Sequence, residues 1–328
     1  MSFNLSLNHT KLPPQPNHTA IDYSLFTIPI TLCLLSALIS LIGLVGNGIT
    51  IYLFCFRLRL NKSTVYILNL AIADFIFVLG CCTVSFYLLC LYNGIYSSTQ
   101  SDTIFSGFGE LLNGFGFNSS LFFLGTLSME RCLLVCFPIW YKCRRPENLS
   151  AIMCAIIWVL SLLITILERF ILPEHRSTVY IVTSVVFLML VLLMVGSSVV
   201  LCIEIQKSSE QCRPLKLYIV VVATVICFLI SLVPARVVRL LYFFAIIPTG
   251  RTRAISYIVI FLCSALNSTI NPYIYIVVGR WEKGVSTVQA FESVFKEGNK
   301  KPSEGDDTTE SQLTDSDHKL DALEIHFS

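Results

Sequence analysis

Charged residues are scarce in this chain of 328 residues. Asp, Glu, Lys and Arg make up 13% of the sequence, whereas hydrophobic residues make up 55% and the mean hydropathy is +0.73. An ordinary soluble domain carries about twice this share of charge. The composition therefore excludes a soluble enzyme of the usual type, a nucleic-acid-binding protein and a disordered scaffold.

The sequence also lacks the patterns of a metal centre, a disulfide scaffold and a secretory leader. Its 13 cysteines lie scattered through apolar segments, with no Cys-x-x-Cys pair and no cluster of His. They are therefore interpreted mainly as small apolar side chains. The polar first 22 residues hold no apolar signal-peptide core, so the first apolar run is expected to act as its own insertion signal.

Long apolar segments, in contrast, are abundant. A helix that spans a bilayer needs about 20 mostly apolar residues, and seven segments that are free or nearly free of charge meet this length: Tyr23–Phe56, Ser63–Ser101, Leu111–Met129, Asn148–Leu167, Ser177–Ile203, Leu217–Ile247 and Ala254–Gly279. They lack the short alternating pattern of barrel strands. The predicted fold is all-α, a bundle of seven transmembrane helices.

Basic residues in the connections predict the orientation of this bundle. Eleven lie on one side: Arg57, Arg59, Lys62, Lys142, Arg144, Arg145, Lys207, Arg213, Lys216, Arg280 and Lys283. Only five lie on the other: Lys11, Arg169, Arg176, Arg251 and Arg253. The first side is therefore predicted to be cytoplasmic and the N-terminus to be outside. Glycosylation sequons at Asn4, Asn8 and Asn17 agree with that orientation.

The chain divides into four predicted regions. Residues 1–25 form a glycosylated extracellular segment, residues 26–279 the transmembrane domain, residues 280–297 an amphipathic helix and residues 298–328 a disordered tail. Five apolar residues at helical spacing suit an amphipathic helix that lies on the inner leaflet: Trp281, Val285, Val288, Phe291 and Phe295. Phosphorylation of Ser and Thr in the acidic tail would suit arrestin and receptor kinases, with a solvated acidic tail as the alternative.

Polar residues within the apolar segments are the candidate functional residues, because each is costly in lipid. Asp74 lies in the middle of the second segment, and Ser120, Asn267 and Asn271 could join it in an oxygen cage for a small hard cation such as sodium. The alternative is a hydrogen-bonded packing contact. No other cofactor is expected.

A second set of polar residues resembles a conformational switch. Glu130 and Arg131 end the third segment, and the alternative for them is a simple interfacial ion pair. Pro234 and Pro272 each remove a backbone hydrogen bond from their helix, and Pro272 lies between Asn271 and Tyr275. Helices weakened beside buried polar groups suit a membrane protein that alternates between two packings.

Taken in order, these motifs resemble the rhodopsin-like G-protein-coupled receptors. The resemblance covers residues from about 41 to 281 and rests on Gly46-Asn47, Leu70 to Asp74, Glu130-Arg131-Cys132, Trp158, Pro234 and Asn271 to Tyr275. The Glu-Arg-Cys triplet and Phe137 to Pro146 are similar to the Mas-related receptor family. The resemblance implies a multi-pass plasma-membrane receptor, not an enzyme, that transmits an extracellular peptide or small-molecule signal to heterotrimeric G proteins.

This chain departs from the wider family pattern at several positions. It has no Cys between Leu91 and Arg131 and none between Ala155 and Leu201, so the usual disulfide of the third segment cannot form. Leu232 replaces the usual Trp before Pro234. These departures keep open the alternative of a ligand-independent modulator of other receptors. A transporter is a separate and less favoured alternative.

The candidate ligand site lies at the predicted outer ends of the segments. Asn113 stands where amine receptors have Asp, and Tyr180 stands where some Mas-related members have a second acid. Arg236 and Arg239 share a helix face and suit a carboxylate-bearing ligand such as a peptide C-terminus. The alternative is that these arginines pair with Glu110 or Glu168 or extend to the lipid headgroups, although the resemblance also places Glu168 in the site.

Overall fold

The computed structural model describes residues 21–58, 61–62, 64–94, 100–170, 175–207, 215–244, 246, 251–280 and 286–296. The sequons at Asn4, Asn8 and Asn17 and the predicted tail from residue 298 lie outside these ranges. The described residues form eight α-helices: α1 Ile21–Phe56, α2 Thr64–Tyr92, α3 Gln100–Cys136, α4 Leu149–Phe170, α5 Arg176–Lys207, α6 Leu215–Phe243, α7 Arg251–Gly279 and α8 Thr287–Lys296.

Helices α1 to α7 are each long and apolar enough to cross a membrane. The described residues contain no strand, so the prediction of an all-α bundle with seven spans is confirmed. A short π-helical turn, Trp140–Arg144, follows α3. The bundle is arranged around α3, which contacts α2, α4, α5 and α6.

The side chains of α4 show how a lipid-facing helix packs. Its buried residues are mostly small or polar, namely Ser150, Cys154, Ile157, Ser161 and Thr165. Large apolar side chains such as Ile156 and Val159 are instead more than half exposed. Lipid tails are as apolar as Leu, so burying such residues brings no hydrophobic gain, and small residues allow close helix contacts.

Glycine determines the close approach of α2 and α3. A Cβ atom on Gly80 would lie 2.5 Å from the backbone nitrogen of Asn113, and one on Gly116 would overlap the backbone of Phe77. Only a residue without a side chain fits at either position. This seam fixes the position of α3 beside α2, and therefore the depth at which their polar residues meet.

Helix α8 packs against the protein core. Phe291 and Phe295 are buried, with ring centroids 5.9 and 5.7 Å from that of Tyr275, and Phe295 lies 5.0 Å from Phe54 of α1. Aromatic neighbours on α1 and α7 cover these two rings, and the position of α8 on the inner leaflet stays a prediction. Helix α8 lies within the predicted region of residues 280–297, whose remaining bounds stay a prediction because residues 281–285 and 297 lie outside the described ranges.

Candidate functional site

The two ends of the bundle are named here after the predicted topology: the inner end carries Arg131, and the outer end carries Arg169. Polar residues predicted from the sequence occupy three levels between them. Asp74 lies at mid-depth, Glu130 and Arg131 lie at the inner end, and Arg236 lies in the outer half.

At mid-depth, the fully buried Asp74 joins three helices. Its carboxylate accepts hydrogen bonds from Ser120 Oγ of α3 at 2.5 Å and from Asn271 Nδ2 of α7 at 2.7 Å. Asn267 is buried one turn earlier in α7. Among the described residues no basic side chain pairs with Asp74. A buried carboxylate that has no basic partner among the described residues and lies beside the Ser120 hydroxyl is a candidate ligand of a small hard cation.

At the inner end, Glu130 and Arg145 form a buried ion pair. Arg145 Nη2 lies 2.5 Å from Glu130 Oε1, and the two side chains are only 2% and 6% exposed. The Tyr141 hydroxyl donates to the same carboxylate oxygen at 2.9 Å and accepts from Arg145 Nη1 at 2.5 Å. The π-helical turn makes this possible, because it brings Tyr141 and Arg145 back against the end of α3.

Arg145 also links two neighbouring segments. Its Nη2 donates to Ser150 Oγ in the first turn of α4 at 2.6 Å, and Ser150 Oγ donates to the backbone carbonyl of Lys62 at 2.9 Å. Hydrogen bonds that involve an ionised group are stronger than neutral ones. The contacts of Glu130, Tyr141, Arg145 and Ser150, which we call the inner network, therefore hold four segments together.

Arg131 takes no part in the inner network. Its side chain is buried, yet no described residue accepts a hydrogen bond from its Nε or Nη2. Buried donors without acceptors are costly in free energy. They are the groups that an acceptor presented by another protein would satisfy.

The predicted switch residues of α6 and α7 differ in their surroundings. Asn271, Pro272 and Tyr275 are all buried, and Asn271 contacts Asp74 directly. Pro234 is exposed on α6. The α7 residues therefore connect the mid-depth site to the inner end, while Pro234 faces the outside of the bundle.

In the outer half, Arg236 is held by uncharged groups. Its Nη2 donates to Ser184 Oγ at 3.0 Å and to Thr183 Oγ1 at 3.3 Å. Its guanidinium carbon lies 5.1 Å from the ring centroid of Tyr180 and 5.5 Å from that of Phe187, within the range of cation–π attraction. Nε of this half-buried side chain has no acceptor among the described residues.

The other predicted outer residues do not all converge on Arg236. Glu110 pairs with Arg169, which joins the outer ends of α3 and α4. Asn113 donates to Cys81 Sγ at 3.1 Å and thereby binds α2. Glu168 is exposed and has no described partner. The side chain of Arg239 lies outside the described part of the chain.

Sequence reasoning missed several contributors to these sites. Tyr141, Arg145 and Ser150 were not assigned a role, although Tyr141 and Arg145 stand four residues apart within the family-like segment Phe137 to Pro146. Thr183 and Ser184 were missed because hydroxyl residues are common in membrane helices, where they also bond their own backbone, as Ser184 does with the carbonyl of Tyr180 at 2.7 Å.

Known proteins resemble this chain over most of its length. Residues 46–275 match the family described as 7 transmembrane receptor (rhodopsin family). The Proto-oncogene Mas of Mus musculus is 39% identical over 257 residues, which cover 75% of this chain and 76% of that protein.

Two Mas-related receptors are similar as well. Mas-related G-protein coupled receptor member X2 of Homo sapiens is 35% identical over 264 residues, or 78% of each chain. Member X1 of Rattus norvegicus is 35% identical over 295 residues, which cover 87% of this chain and 88% of that protein. With its seven spans, the chain belongs to the rhodopsin family of seven-transmembrane receptors, among the Mas-related G-protein-coupled receptors of the plasma membrane.

Proposed function

We propose that this receptor binds a carboxylate-bearing ligand, such as a peptide with a free C-terminus, through Arg236, and passes the signal to a heterotrimeric G protein through Arg131. The N-terminus lies outside the cell, which agrees with the excess of basic residues on the Arg131 side. In this orientation Arg236 is on the ligand side, and the unsatisfied donors of Arg131 are on the G-protein side.

The proposed ligand class is inferred from the environment of Arg236. Two hydroxyls and two aromatic rings orient the guanidinium, but no carboxylate among the described residues neutralises it. Glu110, which could have done so, pairs with Arg169. A fixed cation with a free Nε can clamp a carboxylate from solution.

Other partners follow from the rest of the chain. The acidic tail with Ser303, Thr308, Thr309, Ser311, Thr314 and Ser316 supports binding of arrestin after receptor kinases add phosphate. Basic residues near α8 support contact with anionic lipid. Asp74, Ser120, Asn267 and Asn271 would hold a sodium ion at mid-depth.

A paired peptide screen tests the ligand class. Cells that express the receptor with each class of Gα subunit receive a library of short peptides with free C-terminal carboxylates, and in parallel the same peptides with C-terminal amides. Dissociation of the G protein is measured. Active peptides are expected to lose at least about tenfold in potency on amidation, equivalent to about 1.4 kcal/mol.

Two variants test whether Arg236 causes the difference in potency between peptide acids and peptide amides. Arg236→Gln should weaken the acids about tenfold and leave the amides unchanged, because only the acids use the guanidinium charge. Arg169→Gln is the matched control, since Arg169 is an outer arginine that Glu110 already neutralises, and it should preserve the preference for acids. A preference for acids that survives Arg236→Gln at normal surface expression would contradict the proposal.

A further inference from the structure

Glu130 has two arginines close to it, and the structure pairs it with the more distant one in sequence. Arg131 is its neighbour in α3, while Arg145 lies in the loop between α3 and α4. The contact of 2.5 Å is made with Arg145. Nε and Nη2 of Arg131 have no acceptor within the described part of the chain.

The inner network explains this choice of partner. Arg145 uses both terminal nitrogens: Nη2 contacts Glu130 and Ser150, and Nη1 contacts the Tyr141 hydroxyl. Ser150 is in turn fixed by the carbonyl of Lys62. Because groups from the π-helical turn and α4 hold the guanidinium of Arg145, this guanidinium contacts the carboxylate of Glu130 without rearrangement.

Without Arg145, the carboxylate of Glu130 would be buried beside a single cation. An unpaired buried charge is strongly unfavourable, so Glu130 would turn to the guanidinium of Arg131. The donors of Arg131 would then be occupied within α3. Glu130 and Arg131, which are adjacent in sequence, would then form an ion pair with each other.

We propose that Arg145 is a positioning residue for G-protein activation: by holding the carboxylate of Glu130, it keeps Nε and Nη2 of Arg131 available to the G protein. This inference rests on the proposed function, in which Arg131 contacts the G protein. Arg145 itself is buried and acts through Glu130.

The adjacent Arg144 provides a matched control. It is the last residue of the π-helical turn and directly precedes Arg145, but its side chain is exposed and it forms no described ion pair. Glu130→Gln provides the second element of the design. Gln has nearly the same shape as Glu but no negative charge, so it does not form an ion pair with Arg131.

The test measures the affinity of purified full-length receptor in lipid nanodiscs for nucleotide-free heterotrimeric G protein, with one representative of each Gα class and no ligand. Arg145→Ala should weaken the tightest of these complexes at least about fivefold, the lower end of typical couplings between sites. Arg144→Ala should bind like the wild type. Glu130→Gln/Arg145→Ala should regain wild-type affinity, because the carboxylate that captures Arg131 is gone.

Each contrary result is distinct. Wild-type affinity of Arg145→Ala would overturn the proposal, and so would a double variant as weak as Arg145→Ala, because Arg145 would then act as structural support through Ser150. If Arg145→Ala does not fold, Glu130→Gln is compared with Glu130→Gln/Arg145→Ala. Equal affinities of these two variants for the G protein support the proposal, because without the carboxylate of Glu130 the loss of Arg145 should have no effect. A difference between those two, or a double variant that alone fails to fold, overturns it. A wild type that binds no G protein would overturn the proposed function itself.

Discussion

Arg145 at the inner end and Arg236 in the outer half are both arginines within a membrane protein, but they have different kinds of partner. Arg145 is buried against the carboxylate of Glu130 at 2.5 Å. Arg236 is half-buried and contacts hydroxyls and aromatic rings, with no carboxylate among the described residues. The inner charge is therefore neutralised by the chain itself, whereas the outer one has no carboxylate partner among the described residues, which is what the proposed ligand class requires.

This difference matches the two tasks of a receptor. A ligand shifts the equilibrium between two packings only if it binds one of them better, and an oriented but unneutralised cation offers such a difference in binding energy. The inner end needs a fixed surface that the G protein can recognise. A charge network that joins four segments supplies that rigidity.

The largest expected effect comes from removing the inner arginine that is left unpaired. Arg131→Ala should abolish nucleotide exchange in response to the most potent acid of the peptide screen. Its thermal stability should stay equal or rise, since the variant removes buried donors that have no described acceptor. Exchange assays and melting curves of the purified receptor check both points, with Arg144→Ala as the control. Normal exchange by Arg131→Ala would contradict the role of this residue.

An intermediate effect is expected at mid-depth, between the two ends. If sodium binds Asp74, replacing N-methylglucamine by sodium at constant ionic strength should lower the affinity for an activating peptide about fivefold. Asp74→Asn should abolish this dependence, because a neutral amide does not hold the ion. Radioligand competition in both salts measures it. An equal sodium effect in wild type and variant would place the ion elsewhere.

The smallest effect is expected for the outer ion pair of Glu110 and Arg169. The side chains of Arg169 and Glu110 are 28% and 37% exposed, respectively, so water and salt screen the attraction, and such pairs contribute about 0.2 to 1 kcal/mol. Glu110→Gln should lower the melting temperature slightly at low salt and not at high salt. Glu110→Arg/Arg169→Glu should restore it. A large loss that the reversed pair does not restore would show that Glu110 acts through another contact.

The sequence predicted the seven spans for a physical reason, whereas the cation site around Asp74 stays a prediction. Uncharged runs of membrane length leave few alternatives to a helix that satisfies its own backbone. Asp74 and Asn271 both lie inside such runs, and the polar groups of neighbouring spans at equal depth must meet one another. The observed contacts of Asp74 with Ser120 and Asn271 follow from that constraint.

The charge pairs at the two ends could not be predicted in the same way. Glu130 stands next to Arg131 in sequence but pairs with Arg145, because a π-helical turn brings the loop back against α3. Glu110 was considered as a partner for Arg236 or Arg239 and pairs with Arg169 instead. Such choices depend on helix rotation and loop path, which hydrophobic patterns do not determine.

A cryo-electron microscopy structure of the receptor with its G protein and the most potent acid of the peptide screen tests the central contrast most directly. The account predicts the ligand carboxylate within hydrogen-bond distance of Arg236. It also predicts that Glu130 remains paired with Arg145 while Arg131 contacts the G protein. A carboxylate bound away from Arg236, together with Glu130 paired to Arg131, would contradict it.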